Sequence, residues 1–293
     1  MNEFILNKRS TLSPSSVKTY SSILRSLYTR VFGKIENQIN FDNFSKCDAI
    51  LAYLKDLSPN KRKTVLSALV VVTGLKAYKD QMLLDIQSYN SDIGLQQKTK
   101  SQEENWVSPE EVKDVFLELQ TNANLLYKKK TKTAQDLQNI QNYIILCLMS
   151  GIYIVPRRSK DYTDFKIKGI NTEKDNYMSK NKLIFNSYKT AKYYGQQTLV
   201  VPKELACILR KWEKINDNEF LLFDAKNNQL TSVKLNQRLN KIFGGKKVAC
   251  NMLRHSYLTS KFEKTSEEVK KLDEDLTNMG SSAMQANLYI KTK

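Results

Sequence analysis

Apolar residues recur at helical spacing through most of the chain, and this periodicity constrains the fold more than any other feature of the sequence. After the helix-start pattern Ser13-Pro14, the residues Val17, Tyr20 and Leu24 follow one another at intervals of three and four, which is typical of an amphipathic helix. The same periodicity predicts further helices over residues 44–57, 60–79, 134–150, 203–215, 232–243, 251–263 and 265–279. Strand-like runs are short and are confined to residues 165–167, 182–185 and 198–201. The sequence therefore predicts a mainly α protein with a small antiparallel β-sheet, an α+β fold.

A polar stretch divides this pattern into two parts. Residues 90–105, NSDIGLQQKTKSQEEN, show almost no apolar periodicity, which is typical of a linker. Ser108, Pro109 and Glu111 then form a helix start in which serine caps, proline takes the first position and glutamate completes a capping box. We therefore predict a helical domain over residues 1–89, a linker over residues 90–105 and a second domain over residues 106–293.

The charge of the chain indicates a polyanionic partner. Lysine and arginine total 47 against 30 aspartate and glutamate, which gives a net charge of +17. Nucleic acid is the first candidate for such a basic protein. The basic run Lys61-Arg62-Lys63 in the first domain has two interpretations, a solvated turn or a helix start that contacts phosphates.

Several classes of protein are excluded. The cysteines Cys47, Cys147, Cys207 and Cys250 lie far apart, and the chain has one histidine, so neither a zinc site nor a disulfide framework is expected. Free thiols fit a reducing compartment. No GxxxxGK[ST] motif is present, which excludes a P-loop nucleotidase, and one histidine excludes most Ser-His and Cys-His hydrolases. The first residues lack the apolar run of a signal peptide, and the apolar stretch 143–155 is shorter than the roughly 20 residues of a membrane span.

Four segments of the second domain carry residues suited to phosphate chemistry. In chain order they are Pro156-Arg157-Arg158-Ser159-Lys160-Asp161, Tyr188-Lys189-Thr190, Asn251-Met252-Leu253-Arg254-His255-Ser256, and Gly280-Ser281-Ser282 followed by Tyr289. Taken singly, each has an ordinary structural explanation, such as a solvated charge cluster, an exposed hairpin lysine or an arginine at the edge of a core.

Taken together, their order and spacing resemble the catalytic domain of the tyrosine recombinases, the phage-integrase-like enzymes that break and join DNA. The most specific piece is residues 253–259, LRHSYLT, which is similar to the LRHSxxT block of that family. Residues 150–161 are similar to the first-arginine segment, since Arg158 precedes the acidic Asp161 by three positions, and residues 185–195 are similar to the hairpin that carries the family's lysine.

The resemblance covers roughly residues 106–293. The first domain resembles the helical core-binding (SAM-like) DNA-binding domain of the family in length and helix pattern. The segment PRRSKDY (residues 156–162) and the lysine- and asparagine-rich composition resemble those of family members from large DNA viruses, their satellites or mobile elements. The resemblance implies a site-specific recombinase or integrase that works on double-stranded DNA inside the cell, as a homo-oligomer, a tetramer on paired sites.

The implied chemistry proceeds through a 3′-phosphotyrosine intermediate without metal, cofactor or ATP, with Tyr289 as the nucleophile. A phenol is a weak nucleophile at neutral pH because its pKa is about 10, so the phosphorus must be activated by positive charge. We assign this task to Arg158 and Arg254, whose planar forks match phosphate oxygens, and we assign Lys189 as the general acid for the leaving 5′ oxygen. Supporting or phosphate-binding roles are assigned to Arg157, Asn251, His255 and Ser281. Asp161 is interpreted as the structural partner of an arginine rather than as a metal ligand.

Two positions depart from the family pattern. Asn251 stands where the family has a histidine, and neither histidine nor tryptophan follows Gly280. Only residues 290–293 follow Tyr289, so a tail helix that docks into a neighbouring subunit is not expected. Either other surfaces hold the copies together, or the tyrosine segment itself moves, or the enzyme acts alone. Two alternative functions therefore stay open, a type IB topoisomerase-like nicking and resealing enzyme and a catalytically inactive DNA-binding relative.

Overall fold

The computed structural model describes residues 1–35 and 38–278, and the chain divides into two compact units, residues 1–98 and 99–293. The division falls within the predicted linker, residues 90–105. Most of that segment is helical, because residues 90–94 end one helix and Lys100–Asn105 form another. Thr99 caps this second helix in a capping box with Gln102, a start signal that the polar composition of the segment conceals.

The described part of the first unit is helical. Its α-helices are α1 (Asn2–Lys8), α2 (Pro14–Phe32), α3 (Cys47–Leu54), α4 (Pro59–Thr73) and α5 (Lys76–Gly94), with a 3₁₀ helix at Phe41–Ser45. The predicted start of α2 is confirmed, since the Ser13 hydroxyl accepts a hydrogen bond from the Ser16 amide at 3.2 Å. The helix predicted over residues 60–79 is instead two helices, because Gly74 ends α4 with a left-handed backbone (φ 69°).

An ion pair in the first unit shows what the middle residue of the basic run Lys61-Arg62-Lys63 does. Nη2 of Arg62 lies 2.6 Å from Oδ1 of Asp85, a carboxylate that is almost completely buried. The same guanidinium donates to the carbonyl oxygens of Lys55 and Leu57 at 2.9 and 3.2 Å. Arg62 is therefore a structural residue of this unit, and of the three basic residues only Lys61 is exposed.

The second unit combines helices with a small sheet. Its elements are α6 (Lys100–Asn105), α7 (Pro109–Lys128), α8 (Ala134–Met149), α9 (Ser159–Thr163), β1 (Phe165–Lys166), β2 (Asn176–Ser179), β3 (Lys182–Phe185), α10 (Ala191–Tyr194), β4 (Gln197–Val200), α11 (Lys203–Glu213), α12 (Ser232–Ile242) and α13 (Cys250–Asn278). Ser108 caps α7 as predicted, accepting from the Glu111 amide at 3.1 Å. The Glu111 carboxylate accepts from Nζ of Lys246 at 2.7 Å, so its predicted part in a capping box is taken by an ion pair.

The α+β fold class is confirmed, with one correction to the sheet. The strand order is β1-β2-β3-β4, and β2, β3 and β4 pair in antiparallel fashion. β1 pairs with β2 in parallel, with Phe165 opposite Asn176, so the sheet is mixed rather than antiparallel throughout. β2 was not predicted because its sequence, NYMS, has no β-branched or apolar run.

The core of the second unit is built around α8. Every residue from Tyr143 to Met149 is buried, which explains why this helix is apolar on all sides. Trp212 packs parallel to Phe223 and donates from its indole nitrogen to the Leu221 carbonyl at 2.9 Å. No helix in the described residues combines the length and the apolar character needed to cross a membrane.

Candidate active site

The first-arginine segment leaves the end of α8 through a tight turn. Gly151 has a positive φ of 86°, and residues 152–158 then lead to α9. Arg158 precedes α9 in an extended conformation (φ −70°, ψ 152°). Successive side chains of an extended chain point to opposite sides, and the two neighbouring arginines accordingly differ in environment. Arg158 is exposed, whereas the side chain of Arg157 is 18% exposed.

Arg157 is held by three kinds of contact within the protein. Its Nε donates to Oδ2 of Asp161 at 2.9 Å, and its Nη1 donates to Oε1 of Gln197 at 2.9 Å. Its guanidinium also lies 4.0 Å from the ring centre of Phe185 and 5.4 Å from that of Tyr188. These contacts favour the supporting role assigned to Arg157 over the phosphate-binding one.

The positive charges of three arginines act on the carboxylate of Asp161. Burial raises the pKa of Asp161, and the positive charges of Arg157, Arg158 and Arg254 oppose that rise. The interpretation of Asp161 as the partner of an arginine agrees with the geometry, the arginine being Arg157. Within residues 1–35 and 38–278, no group of three or more His, Cys, Asp or Glu residues could hold a metal ion.

Cys250 connects the start of α13 to the first-arginine segment. Its thiol donates to the carbonyl oxygen of Arg157 at 3.1 Å, and its amide donates to Oδ1 of Asn236 at 3.1 Å. Burial raises the pKa of Cys250 to about 11, although the nearby charges of Arg254 and Arg158 act in the opposite direction. The thiol is therefore protonated at neutral pH and is available as the donor that holds these segments together.

Arg254 lies one helical turn after Cys250 on α13 and is half-buried. Its Nη1 donates to Oδ1 of Asn251 at 3.3 Å, so this asparagine helps to orient the arginine. His255 is exposed and, as the next residue of the helix, lies on a neighbouring face about 100° away. Ser256 is buried and donates from its hydroxyl to the Val107 carbonyl at 2.6 Å, which fixes α13 to the start of the second unit.

Lys189 lies on the connection between β3 and β4 and is exposed. The buried Tyr188 beside it donates from its hydroxyl to the Gly195 carbonyl at 2.7 Å, which closes the connection. Tyr188 and Gln197, at either end of the connection, both contact Arg157. The segment that carries Lys189 is thus attached to the segment that carries Arg158.

The structure therefore brings three of the four motif segments together. Cys250 at the start of α13 contacts the carbonyl oxygen of Arg157, and the Arg157 side chain contacts Tyr188 and Gln197 at the two ends of the segment that carries Lys189. The assigned residues Ser281 and Tyr289, together with Gly280, lie outside the described residues. Sequence reasoning missed Cys250, Gln197 and Asn236, since no motif marks them and they reach the arginine segments only through the fold.

Comparison with known proteins gives matches among solved structures. No protein-family model and no curated protein matches the chain. The chain is similar to XerH site-specific recombinase bound to palindromic difH substrate in a post-cleavage complex, with a TM-score of 0.46, 15% identity and coverage of 85% of this chain and 69% of that one. It is also similar to XerH bound to difH substrate in a pre-cleavage complex, with a TM-score of 0.40, 17% identity and coverage of 90% and 84%. Both of these solved structures are of a site-specific recombinase.

Proposed function

We propose that this protein is a DNA-breaking and DNA-joining enzyme of the tyrosine recombinase type, acting in site-specific recombination or integration. One observation carries the proposal: the thiol of Cys250, one helical turn before Arg254, donates to the carbonyl oxygen of Arg157 at 3.1 Å, which joins the segments that carry Arg158 and Arg254. The positive charges of both arginines act on the buried groups Asp161 and Cys250. A fold that joins two cationic segments in this way is suited to an anion that binds both side chains.

Within this proposal the two arginines clamp the scissile phosphate. No hydrogen bond or ion pair engages the Arg158 side chain among the described residues, so its guanidinium is free to bind a phosphate oxygen. Arg254 is oriented by Asn251. Preorganised donors that meet the charge of a transition state contribute about 10² to 10³ in rate each, because they need no reorganisation during the reaction.

The chemical step then uses Tyr289 and Lys189. The phenolic oxygen of Tyr289 attacks the phosphorus and loses its proton to water, and the bond from phosphorus to the 5′ oxygen breaks. The Lys189 ammonium group donates its proton to that 5′ oxygen. The phosphotyrosine ester keeps the energy of the broken bond, so a 5′ hydroxyl can attack it and reseal the strand.

The proposed partner is double-stranded DNA inside the cell, bound by copies of the protein that assemble on paired sites. The net charge of +17 supplies affinity for phosphates, and this affinity falls steeply with salt concentration. A type IB topoisomerase-like enzyme would instead relax a plain supercoiled plasmid as a monomer, so strand exchange between paired sites and plasmid relaxation separate the two activities.

A nicked suicide duplex tests the proposal. Its sequence is first selected from a random duplex library by binding to the wild-type protein, and cleavage releases a short fragment so that resealing is blocked. The wild-type protein should leave a covalent protein–DNA band on a denaturing gel, and Tyr289→Phe should leave none. Tyr20→Phe, which removes a hydroxyl from the first unit, is the matched control and should keep the band. A wild-type protein that binds these duplexes but never forms the band is an inactive DNA-binding relative, and the proposal is then wrong.

A further inference from the structure

Two tyrosine rings on α10 are exposed to a degree that the fold does not explain. The side chains of Tyr193 and Tyr194 are 80% and 70% exposed, the highest values among the large hydrophobic residues that the structure describes. Every other tyrosine in the described residues is buried or half-buried. Because burying an aromatic ring is favourable, two adjacent rings left open on a folded domain indicate a surface that a partner covers.

The connection that carries these rings is braced. The hydroxyl of Tyr188 donates to the Gly195 carbonyl at 2.7 Å, and the Gln196 side chain donates to that of Asn186 at 2.8 Å. Gly195 supplies the positive φ of 63° with which α10 ends. A partner that binds the rings therefore does not have to order the segment first, and the entropic cost of binding is correspondingly small.

The charge around the rings selects the class of partner. Between Asp175 and Glu204 the chain has five lysines and no acidic residue. Lys189 and Lys192, the two nearest to the rings in sequence, are both exposed. Aromatic rings beside cations fit the two parts of a nucleic acid, since bases present flat π-faces and the backbone presents negative charge.

We propose that Tyr193 and Tyr194 stack on bases at the step next to the cleaved phosphate, with Lys192 on the backbone. The position next to the cleaved phosphate rests on the proposed function, because it follows from the role of Lys189, which lies four residues before Tyr193 on the same connection between β3 and β4. Bases of an intact duplex are stacked on one another, so the contact requires a base step that opens. Pyrimidine–purine steps open most easily, and the inferred substrate is a duplex with such a step at the cleavage position.

Alanine and phenylalanine variants test the ring contact by affinity for the selected duplex. Tyr193→Ala and Tyr194→Ala should each weaken binding about five- to 150-fold, the range measured when stacking aromatics are truncated. Tyr193→Phe and Tyr194→Phe should keep most of the affinity because the ring remains. Val200→Ala is the matched control, since Val200 is also exposed (59%) and lies on β4, the strand that follows α10. None of these variants should alter thermal unfolding.

Salt dependence and base fluorescence separate stacking from charge. Loss of a neutral ring should leave the slope of log K against log[salt] unchanged, whereas Lys192→Ala should reduce that slope by about one. A 2-aminopurine base placed next to the mapped cleavage position should brighten when the wild-type protein binds, because unstacking relieves its quenching. The alanine variants should lose most of this signal.

Wild-type affinity and wild-type fluorescence in both alanine variants would overturn the inference. So would a change in the oligomeric mass of the DNA-free protein with no change in DNA affinity, since the rings would then cover a second copy of the chain. Failure of the proposed function gives a different result, namely no covalent band for the wild-type protein. In that case the DNA affinities of the alanine variants still show whether the rings contact DNA.

Discussion

The neighbouring residues Arg157 and Arg158 show how local geometry separates two identical side chains. An extended backbone at Arg158 turns the two side chains apart. Arg157 contacts Asp161, Gln197 and two aromatic rings, whereas Arg158 is exposed. Arg157 therefore holds neighbouring segments together, and the exposed Arg158 is the one that we propose to bind phosphate.

The clamp role gives a prediction for two arginines. Arg158→Ala and Arg254→Ala should each lower covalent complex formation by at least about 10² to 10³ while DNA affinity falls only modestly, because many other cations contact the backbone. Arg210→Ala is the matched control, since Arg210 is exposed and its guanidinium donates to the Lys180 carbonyl at the far turn of the sheet. Equal losses of binding and of cleavage in the clamp variants would show that both arginines are ordinary backbone contacts.

The acid role of Lys189 gives a prediction that depends on the leaving group. Lys189→Ala should be strongly impaired on an ordinary duplex but should cleave a duplex with sulfur at the bridging 5′ position, since a thiolate departs without a proton. Cleavage rates of both duplexes by the wild-type protein and by Lys189→Ala measure this. If sulfur gives the variant no advantage, Lys189 is not the acid.

At the scale of elements, the close packing of the turn after α8 against α13 requires a glycine at position 151. A Cβ at Gly151 would lie 3.0 Å from Cε2 of Tyr257 and closer still to Cδ2, and the backbone there has a positive φ. Gly151→Ala should therefore destabilise the second unit by about 1–3 kcal/mol, the usual cost of overpacking. Urea unfolding measures this. Gly94→Ala is the control, because Gly94 lies in α5 with open space around it. A urea midpoint for Gly151→Ala as high as that of Gly94→Ala would show that the contact between Gly151 and Tyr257 does not limit stability.

The start of α8 gives a prediction for pH. Hydrogen bonds lower the pKa of Asp136 to about 2, the one from Lys129 contributing most and the one from the Thr133 amide next. This pKa lies below the unfolded value of about 3.9. The stabilisation is complete above the unfolded value and is lost as pH falls through the folded value. The stability difference between the wild-type protein and Asp136→Asn should therefore shrink between about pH 4 and pH 2. Urea midpoints across this range measure it, with Asp114→Asn on the exposed face of α7 as the control. A difference that stays constant would contradict the assignment.

Sequence patterns predicted the elements unequally, for physical reasons. The caps at Ser13 and Ser108 are local signals and are confirmed. The break at Gly74 was missed because the apolar spacing continues through it. Residues 251–263 and 265–279 were predicted as two separate helices, whereas α13 is one helix over Cys250–Asn278. No glycine or proline interrupts the sequence of these residues. At the site, the LRHS block was visible in the sequence, but the contact between Cys250 and Arg157 joins residues far apart in the chain.

At the scale of the whole molecule, ion pairs reduce the number of cations that are free to meet DNA but leave the net charge unchanged. Several cations are paired inside the described units, namely Arg62 with Asp85, Lys129 with Asp136, Arg157 with Asp161, Lys234 with Asp224 and Lys246 with Glu111. The acidic partners are paired as well, so the net excess of +17 is carried by the remaining, mostly exposed lysines and arginines. This excess suits general affinity for a phosphate backbone, whereas the proposed cleavage chemistry depends on a few residues, Arg158, Arg254 and Lys189 among them.

If Arg158 and Arg254 hold a phosphate for attack by Tyr289, the covalent complex trapped on a suicide duplex carries its DNA on that tyrosine. Mass spectrometry after digestion of both DNA and protein locates the attachment. We expect a nucleotide mass on the peptide that contains Tyr289, and no such adduct in Arg158→Ala or Arg254→Ala. An adduct on any other residue, or one that survives the loss of both arginines, would show that the proposed mechanism is wrong.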